Sequence, residues 1–129
     1  MTSMQRYSKS VLLVDDDPAD RALFSRDLSR LGFDIVQTGS VDEAIAAIVG
    51  GRIGCLVTDQ IMSVPGQELA SLASGIRADI GVVFLSGASE PREPIPAGAV
   101  FIQKSDRAGL RHAVIDCMKT WLVDSRSDY

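Results

Sequence analysis

Residues 11–18 read VLLVDDDP, four apolar side chains followed by three aspartates and a proline, and the fold can be built outward from them. Val11 to Val14 are apolar at every position, as expected of a strand covered on both faces in a parallel sheet. Asp17 is placed to cap a helix whose first turn holds Pro18, and Leu23, Phe24, Leu28 and Leu31 then form one apolar stripe that ends before Gly32. A strand that runs through acidic residues into a capped helix starts a β-α-β winding, and the chain goes on to repeat that alternation.

Ile35 to Thr38 is the second predicted strand. Ser40 and Glu43 have the spacing of a capping box, Ile45, Ile48 and Val49 are predicted to face inward, and the Gly50, Gly51 pair stops that helix. Ile53 to Val57 is the third strand, 67–74 a short third helix, Val82 to Leu85 the fourth strand and Val100 to Ile102 the fifth. The last helix starts near Ser105 or Asp106 and carries Leu110, Ala113, Val114, Cys117, Met118, Trp121 and Leu122 at i, i+3, i+4, i+7 spacing. Between strands four and five stands GASEPREPIPAGA, residues 87–99, where a regular winding would place a helix. Pro91, Pro94 and Pro96 each remove a backbone donor and bias the preceding residue toward extended geometry, so a loop or a single helical turn is expected there. The reading is therefore a three-layer α/β sandwich on a five-stranded parallel sheet of order 2-1-3-4-5, flavodoxin-like, with a shortened or missing fourth helix. One domain spans 10–123, with short flexible tails at 1–9 and 124–129.

Composition supports a single soluble unit. The chain has 129 residues, 46% hydrophobic and 23% charged, which is enough to bury a core of its own and argues against disorder. Seventeen acidic side chains outnumber thirteen basic ones, and the net charge of −4 repels a phosphate backbone, so no nucleic-acid partner is expected. No apolar run approaches the roughly 18 residues of a membrane span, and the polar start MTSMQRYSKS lacks a secretory h-region, which together imply a cytoplasmic protein with no membrane partner. Cys55 and Cys117 have no paired spacing and read as reduced core residues. His112 lies off the apolar stripe of the last helix and reads as surface decoration.

In an open parallel sheet, ligands bind beyond the carboxyl ends of the strands. Asp15 and Asp16 end the first strand, Asp59 the third, Ser86 the fourth and Lys104 the fifth. Only three lysines occur in the chain, which gives the position of Lys104 added weight. Hard carboxylate oxygens in that number suit Mg²⁺. Asp59, between such a cation and the Lys104 ammonium, is an anionic nucleophile suited to accepting a phosphoryl group, and Ser86 can donate to a phosphate oxygen.

VLLVDDDP, LVTDQIM (56–62), VVFLSGA (82–88) and AGAVFIQK (97–104), four motifs in order over about residues 10–122, resemble the receiver domain of bacterial two-component response regulators, here a stand-alone, CheY-like one. The resemblance implies that Asp59 is the phosphoacceptor, served by a sensor histidine kinase or a histidine phosphotransfer protein. It further implies that Mg²⁺ is held by Asp15, Asp16, Asp59 and the backbone carbonyl of Ile61, and that Lys104 pairs with the phosphate. Ser86 is then the switch hydroxyl and Phe101 the switch aromatic. Such a protein is not a turnover enzyme and acts by switching contacts with a downstream protein that the sequence does not name.

The chain departs from the family pattern in four places. Ser63 stands where the family has proline, with Pro65 and Gly66 one residue early. Ser105 follows Lys104 where the family has a cis-linked proline, so the strand has to turn by another route. Only 17 residues separate Ser86 from Lys104, fewer than is usual in the family, and the proline run occupies them, so the usual helix is expected to be shortened or missing. Two alternatives remain open: a pseudo-receiver that binds protein without phosphorylation, and a haloacid-dehalogenase-like phosphatase built on the Asp15, Asp17 pair. The phosphatase lacks support from a late acidic pair or a cap-sized insertion. The fourth departure is apolar Ile61, where relatives place a polar group that positions hydrolytic water; slow autodephosphorylation is expected, and an Ile61→Asn phosphoprotein should decay faster in a radiolabel chase.

Overall fold

A computed structural model describes residues 6–60, 66–91 and 94–123. Five parallel strands form the central sheet: β2 (Ser10–Val14), β3 (Ile35–Thr38), β4 (Ile53–Asp59), β5 (Gly81–Ser86) and β6 (Val100–Gln103), in the order β3-β2-β4-β5-β6. That is the 2-1-3-4-5 order expected from the sequence. Helices α1 (Pro18–Ser29) and α4 (Arg107–Met118) cover one face, and α2 (Val41–Val49) and α3 (Gly66–Ile76) the other. Alternate residues of the central strands supply the two cores. Val11, Leu13, Cys55, Val57, Val83 and Leu85 pack with Phe24, Leu28, Leu110, Val114 and Met118 on one side. Leu12, Val14, Ile53 and Leu56 pack with Ala44, Ile48, Leu69 and Ala73 on the other.

The helix ends follow the capping residues. Asp17 Oδ1 accepts from Ala19 N at 2.9 Å with Pro18 in the first turn, and Asp106 Oδ1 accepts from Gly109 N at 2.9 Å. The Ser40, Glu43 box forms only by half: Ser40 Oγ accepts from Glu43 N, but the Glu43 carboxylate takes the Thr38 hydroxyl at 2.6 Å instead of the Ser40 amide. The Ser40 amide itself donates to Thr38 Oγ1, which already fills that acceptor role.

Four expectations are corrected. Val49 is exposed, because the inward face of α2 is set by Ala44 and Ile48 and the next residue along lies about 100° around the helix. The third helix is longer than 67–74, running over Gly66–Ile76. The last helix stops at Met118, and after a 3₁₀ turn at Lys119–Trp121 the chain forms β7 (Leu122–Val123), with Leu122 exposed. Strand β7 pairs antiparallel with β1 (Arg6–Tyr7), so residues 6–9 belong to the folded unit rather than to a tail. Tyr7 packs on Phe33 at 4.7 Å between ring centroids, and the Ser8 amide donates to the Trp121 carbonyl. Residues 1–5 and 124–129, the remainder of the expected tails, lie outside the described residues.

No helix stands between β5 and β6 among the described residues. The apolar surface a helix would cover there, Val82, Phe84 and Phe101, is met by Ala70 of α3 and by Ile95 and Ala99 of the loop. That loop closes with Ala99 N on Pro96 O at 3.1 Å and a turn in which Gly98 takes φ +85°. Among the described residues no helix is long and apolar enough to cross a membrane.

Strand β4 carries one irregularity that fixes the base of the sheet. Ser10 pairs with Ile53 but Val11 with Cys55, which leaves Gly54 as an extra residue in a bulge. Trp121 fills the space above it, and a Cβ on Gly54 would stand 2.5 Å from the indole. Lys9 Nζ stands over that ring at 4.4 Å from its centroid. Gly54→Ala is expected to lose about 1–3 kcal/mol through this overpacking. The measurement is urea unfolding followed by fluorescence of Trp121, the chain's single tryptophan.

Candidate functional site

The parallel pairing brings the carboxyl ends of β2, β4, β5 and β6 to one rim. Asp59 is register partner to Leu85, and Ser86 to Gln103, so Asp15, Asp59, Ser86 and Lys104 all fall at or just past strand ends. Lys104 reaches that rim without a following proline. Its amide donates to Ser86 O at 2.7 Å, the next peptide is trans, and the chain turns through Asp106 N on Gln103 O at 2.9 Å.

Lys104 Nζ is the centre of the site. It stands 2.8 Å from Asp20 Oδ2, 3.0 Å from Asp15 Oδ2 and 3.2 Å from Asp59 Oδ2. Asp15 is wholly buried, Asp59 nearly so, and Asp16 is exposed. One carboxylate oxygen from each of Asp15, Asp16 and Asp59 lies within 4.8 Å of the others. Asp15 Oδ1 accepts the Asp17 amide at 2.9 Å, while its buried Oδ2 meets the ammonium as an ion pair without hydrogen-bond alignment. Arg21 holds the backbone beneath, donating to Asp15 O at 2.7 Å.

The electrostatics follow from burial. Burial pushes the Asp15 carboxyl above the ordinary aspartate value, against the Asp17 amide and the Lys104 ammonium, which pull it down. Burial also opposes the Lys104 charge, but the hydrogen bond to Asp20, then the contacts with Asp15 and the Asp59 charge, outweigh it and hold the lysine above its usual range. The two directions are compatible, since pairing favours both charges while burial, which opposes both, outweighs pairing only at the wholly buried Asp15.

Ser86 is fully buried, and its Oγ accepts from Ala88 N at 3.1 Å, the geometry of a turn that starts the loop after β5. Phe101 is partly buried on the α3 side, packed with Phe84 and Ala70. Ile61 and the expected short loop at Ser63 and Pro65 lie outside the described residues. Beyond them the chain returns at Gly66, whose amide donates to Gln60 O at 3.3 Å and where a Cβ would stand 2.6 Å from the Asp59 carbonyl. The chain thus passes directly over the backbone of Asp59, an approach that only glycine permits.

Asp20 is the site residue that sequence reasoning missed. It lies in the first turn of α1, where an acid is explained by the helix dipole alone. The signal was its spacing: one helical turn beyond the Asp15–Asp17 run, on a helix that starts at the rim.

No protein-family model and no curated protein sequence matches the chain. Solved structures do. A two-component transcriptional regulator AraC from Clostridium phytofermentans is 25% identical, with 88% of this chain and 94% of that one covered and a TM-score of 0.76. A response regulator receiver protein from Sinorhizobium medicae is 25% identical over 86% and 94%, with a TM-score of 0.74. The chain has the fold of response-regulator receiver domains. A third structure, the response regulator TrrA from Thermotoga maritima in complex with Mg²⁺-BeF, shares the receiver fold at 23% identity, 84% and 98% coverage and a TM-score of 0.74. In this receiver fold the acidic cluster sits at the rim where Asp59 ends β4.

The raised Asp15 pKa has a definite sign. The unfolded chain gives up this proton first, so ionisation costs the folded state stability as pH rises above 3.8, and the cost is complete above the raised folded value. In EDTA, Asp15→Asn is expected to raise the urea midpoint at pH 7, with the gain shrinking as pH falls toward 3.8. An Asn variant less stable than wild type at pH 7 would contradict this.

Proposed function

We propose that this receiver domain accepts a phosphoryl group on Asp59 from a phosphohistidine of a sensor histidine kinase or phosphotransfer protein, and that the phosphate switches contacts with a downstream protein. The observation that supports it most is Lys104 Nζ at 3.2 Å from Asp59 Oδ2, beside a second and a third carboxylate that converge on the same point. An Asp59 oxygen attacks phosphorus, the P–N bond breaks, and the departing imidazole takes a proton. Lys104 balances the charge that arrives, and little other covalent work is asked of the protein.

The donor set fits Mg²⁺. Hard oxygens of Asp15, Asp16 and Asp59 gather in one place, and the buried Asp15 Oδ2 has no aligned hydrogen bond. These residues, with the Ile61 carbonyl, would hold the ion, which supplies neutralisation of the phosphoryl oxygens. The TrrA structure, on the same fold, is in complex with Mg²⁺-BeF, which supports the same use here.

Ser86 would exchange its turn contact for a bond to a phosphate oxygen, and Phe101, packed at the edge of the sheet, would turn inward into the space that this opens. The phosphate then selects one of two packings by contacts made in only that one. Moving such an equilibrium from 1:99 to 99:1 takes about 5.5 kcal/mol of differential interaction.

The pseudo-receiver reading draws on one feature, the Lys104 bond to Asp20, which is shorter than that to Asp59 and holds the ammonium from the helix side. The phosphatase reading loses ground because the Asp17 carboxylate is engaged in the cap of α1.

Acetyl phosphate and Mg²⁺ offered to wild type and Asp59→Asn decide between these readings. Intact-mass measurement should show one phosphoryl group on wild type and none on the variant, with no catalytic release of phosphate. A wild type that gains no mass and shows no change with beryllofluoride would favour the pseudo-receiver.

A further inference from the structure

The chain has two cysteines, 62 residues apart in sequence, and the fold brings them together. Cys55 lies on β4 with Gly81 of β5 as its register partner, so the two positions point to the same face about 5 Å apart. The space that a side chain at Gly81 would need is taken by the Cys117 thiol of α4: a Cβ built on Gly81 would overlap Sγ of Cys117. Cys117 Sγ therefore occupies the position beside the Cys55 side chain. Cys55 is completely buried, whereas Cys117 is partly exposed and lines a groove of about 430 Å³ with Val100, Ile102, His112, Ala113 and Asp116.

We infer that Cys117 and Cys55 form a peroxide-sensitive dithiol, in which Cys117 meets the oxidant through the groove and Cys55 resolves it to an internal disulfide. The chemistry balances with a hydroperoxide as oxidant. The Cys117 thiolate attacks the O–O bond, giving a sulfenic acid and one water or alcohol. The Cys55 thiol then attacks that sulfur, forming S–S and releasing a second water, so that two S–H bonds are lost and the peroxide is reduced. The contact between the thiols sets the order: it favours the thiolate on the more open Cys117, while the bond that the Cys55 S–H donates to Cys117 and burial together push the Cys55 thiol up. The bridge would fasten α4 to the strand that ends in Asp59, four residues beyond Cys55. It does not depend on phosphorylation of that aspartate.

The full chain is exposed under native conditions to hydrogen peroxide at a level that leaves an equal concentration of glutathione mostly reduced, then alkylated and weighed. Wild type is expected to lose two hydrogens, to resist alkylation at both cysteines, and to recover both thiols with dithiothreitol. Cys55→Ala should stop at a Cys117 sulfenic acid that dimedone traps, and Cys117→Ala should leave Cys55 reduced. Two alkylatable thiols in peroxide-treated wild type, a bridge between two copies in place of an internal one, or oxidation of Cys55 in the Cys117→Ala protein would each overturn the proposal.

Discussion

One ammonium placed among carboxylates organises the rim of this protein. Lys104 Nζ touches Asp15, Asp20 and Asp59, which come from β2, the first turn of α1 and the end of β4. The Asp15 carboxyl is wholly buried, and that burial pushes its pKa up against the pull of the Asp17 amide and the Lys104 ammonium. The cluster is thus short of positive charge as it stands. A site of this kind is one that an added cation would stabilise, which is what the proposed function asks of it.

The scaffold under this site is an ordinary parallel sheet, and its precision comes from how the strand ends are tied. Lys104 N to Ser86 O, and Gln60 N to Leu85 O at 3.0 Å, continue the ladder one residue past the strands, so the rim side chains ride on hydrogen-bonded backbone. The same ties answer the missing proline after Lys104. The lysine is aimed by its own amide and by the Gln103–Asp106 turn, and neither needs a particular residue at 105.

Most of this architecture was legible because apolar runs and caps are local signals. Val11 to Val14, the Asp17 cap and the proline-rich 87–99 segment each announce themselves within a few residues. The five rim residues could be named because strand ends in a parallel sheet share one edge. What stayed hidden depended on distant partners. The β1–β7 pair joins segments more than a hundred residues apart and only two residues long, and nothing in RY or LV marks a strand. The apolar period of the last helix runs on to Leu122, but Trp121 is needed over Gly54, and the helix ends to deliver it. Asp20 and the Cys55, Cys117 contact share this character, since each residue has an adequate local reading and acquires its role from a neighbour across the fold.

The central claim is that the Lys104 ammonium is what makes the acidic rim bearable. Urea unfolding of Lys104→Met against wild type, in EDTA and again in Mg²⁺, measures it most directly. The account predicts a loss of about 1–3 kcal/mol in EDTA, where Asp15 and Asp59 are left without the ammonium. Mg²⁺ should then restore more stability to the variant than it adds to wild type. A Lys104→Met protein as stable as wild type in EDTA, with no larger response to Mg²⁺, would contradict it.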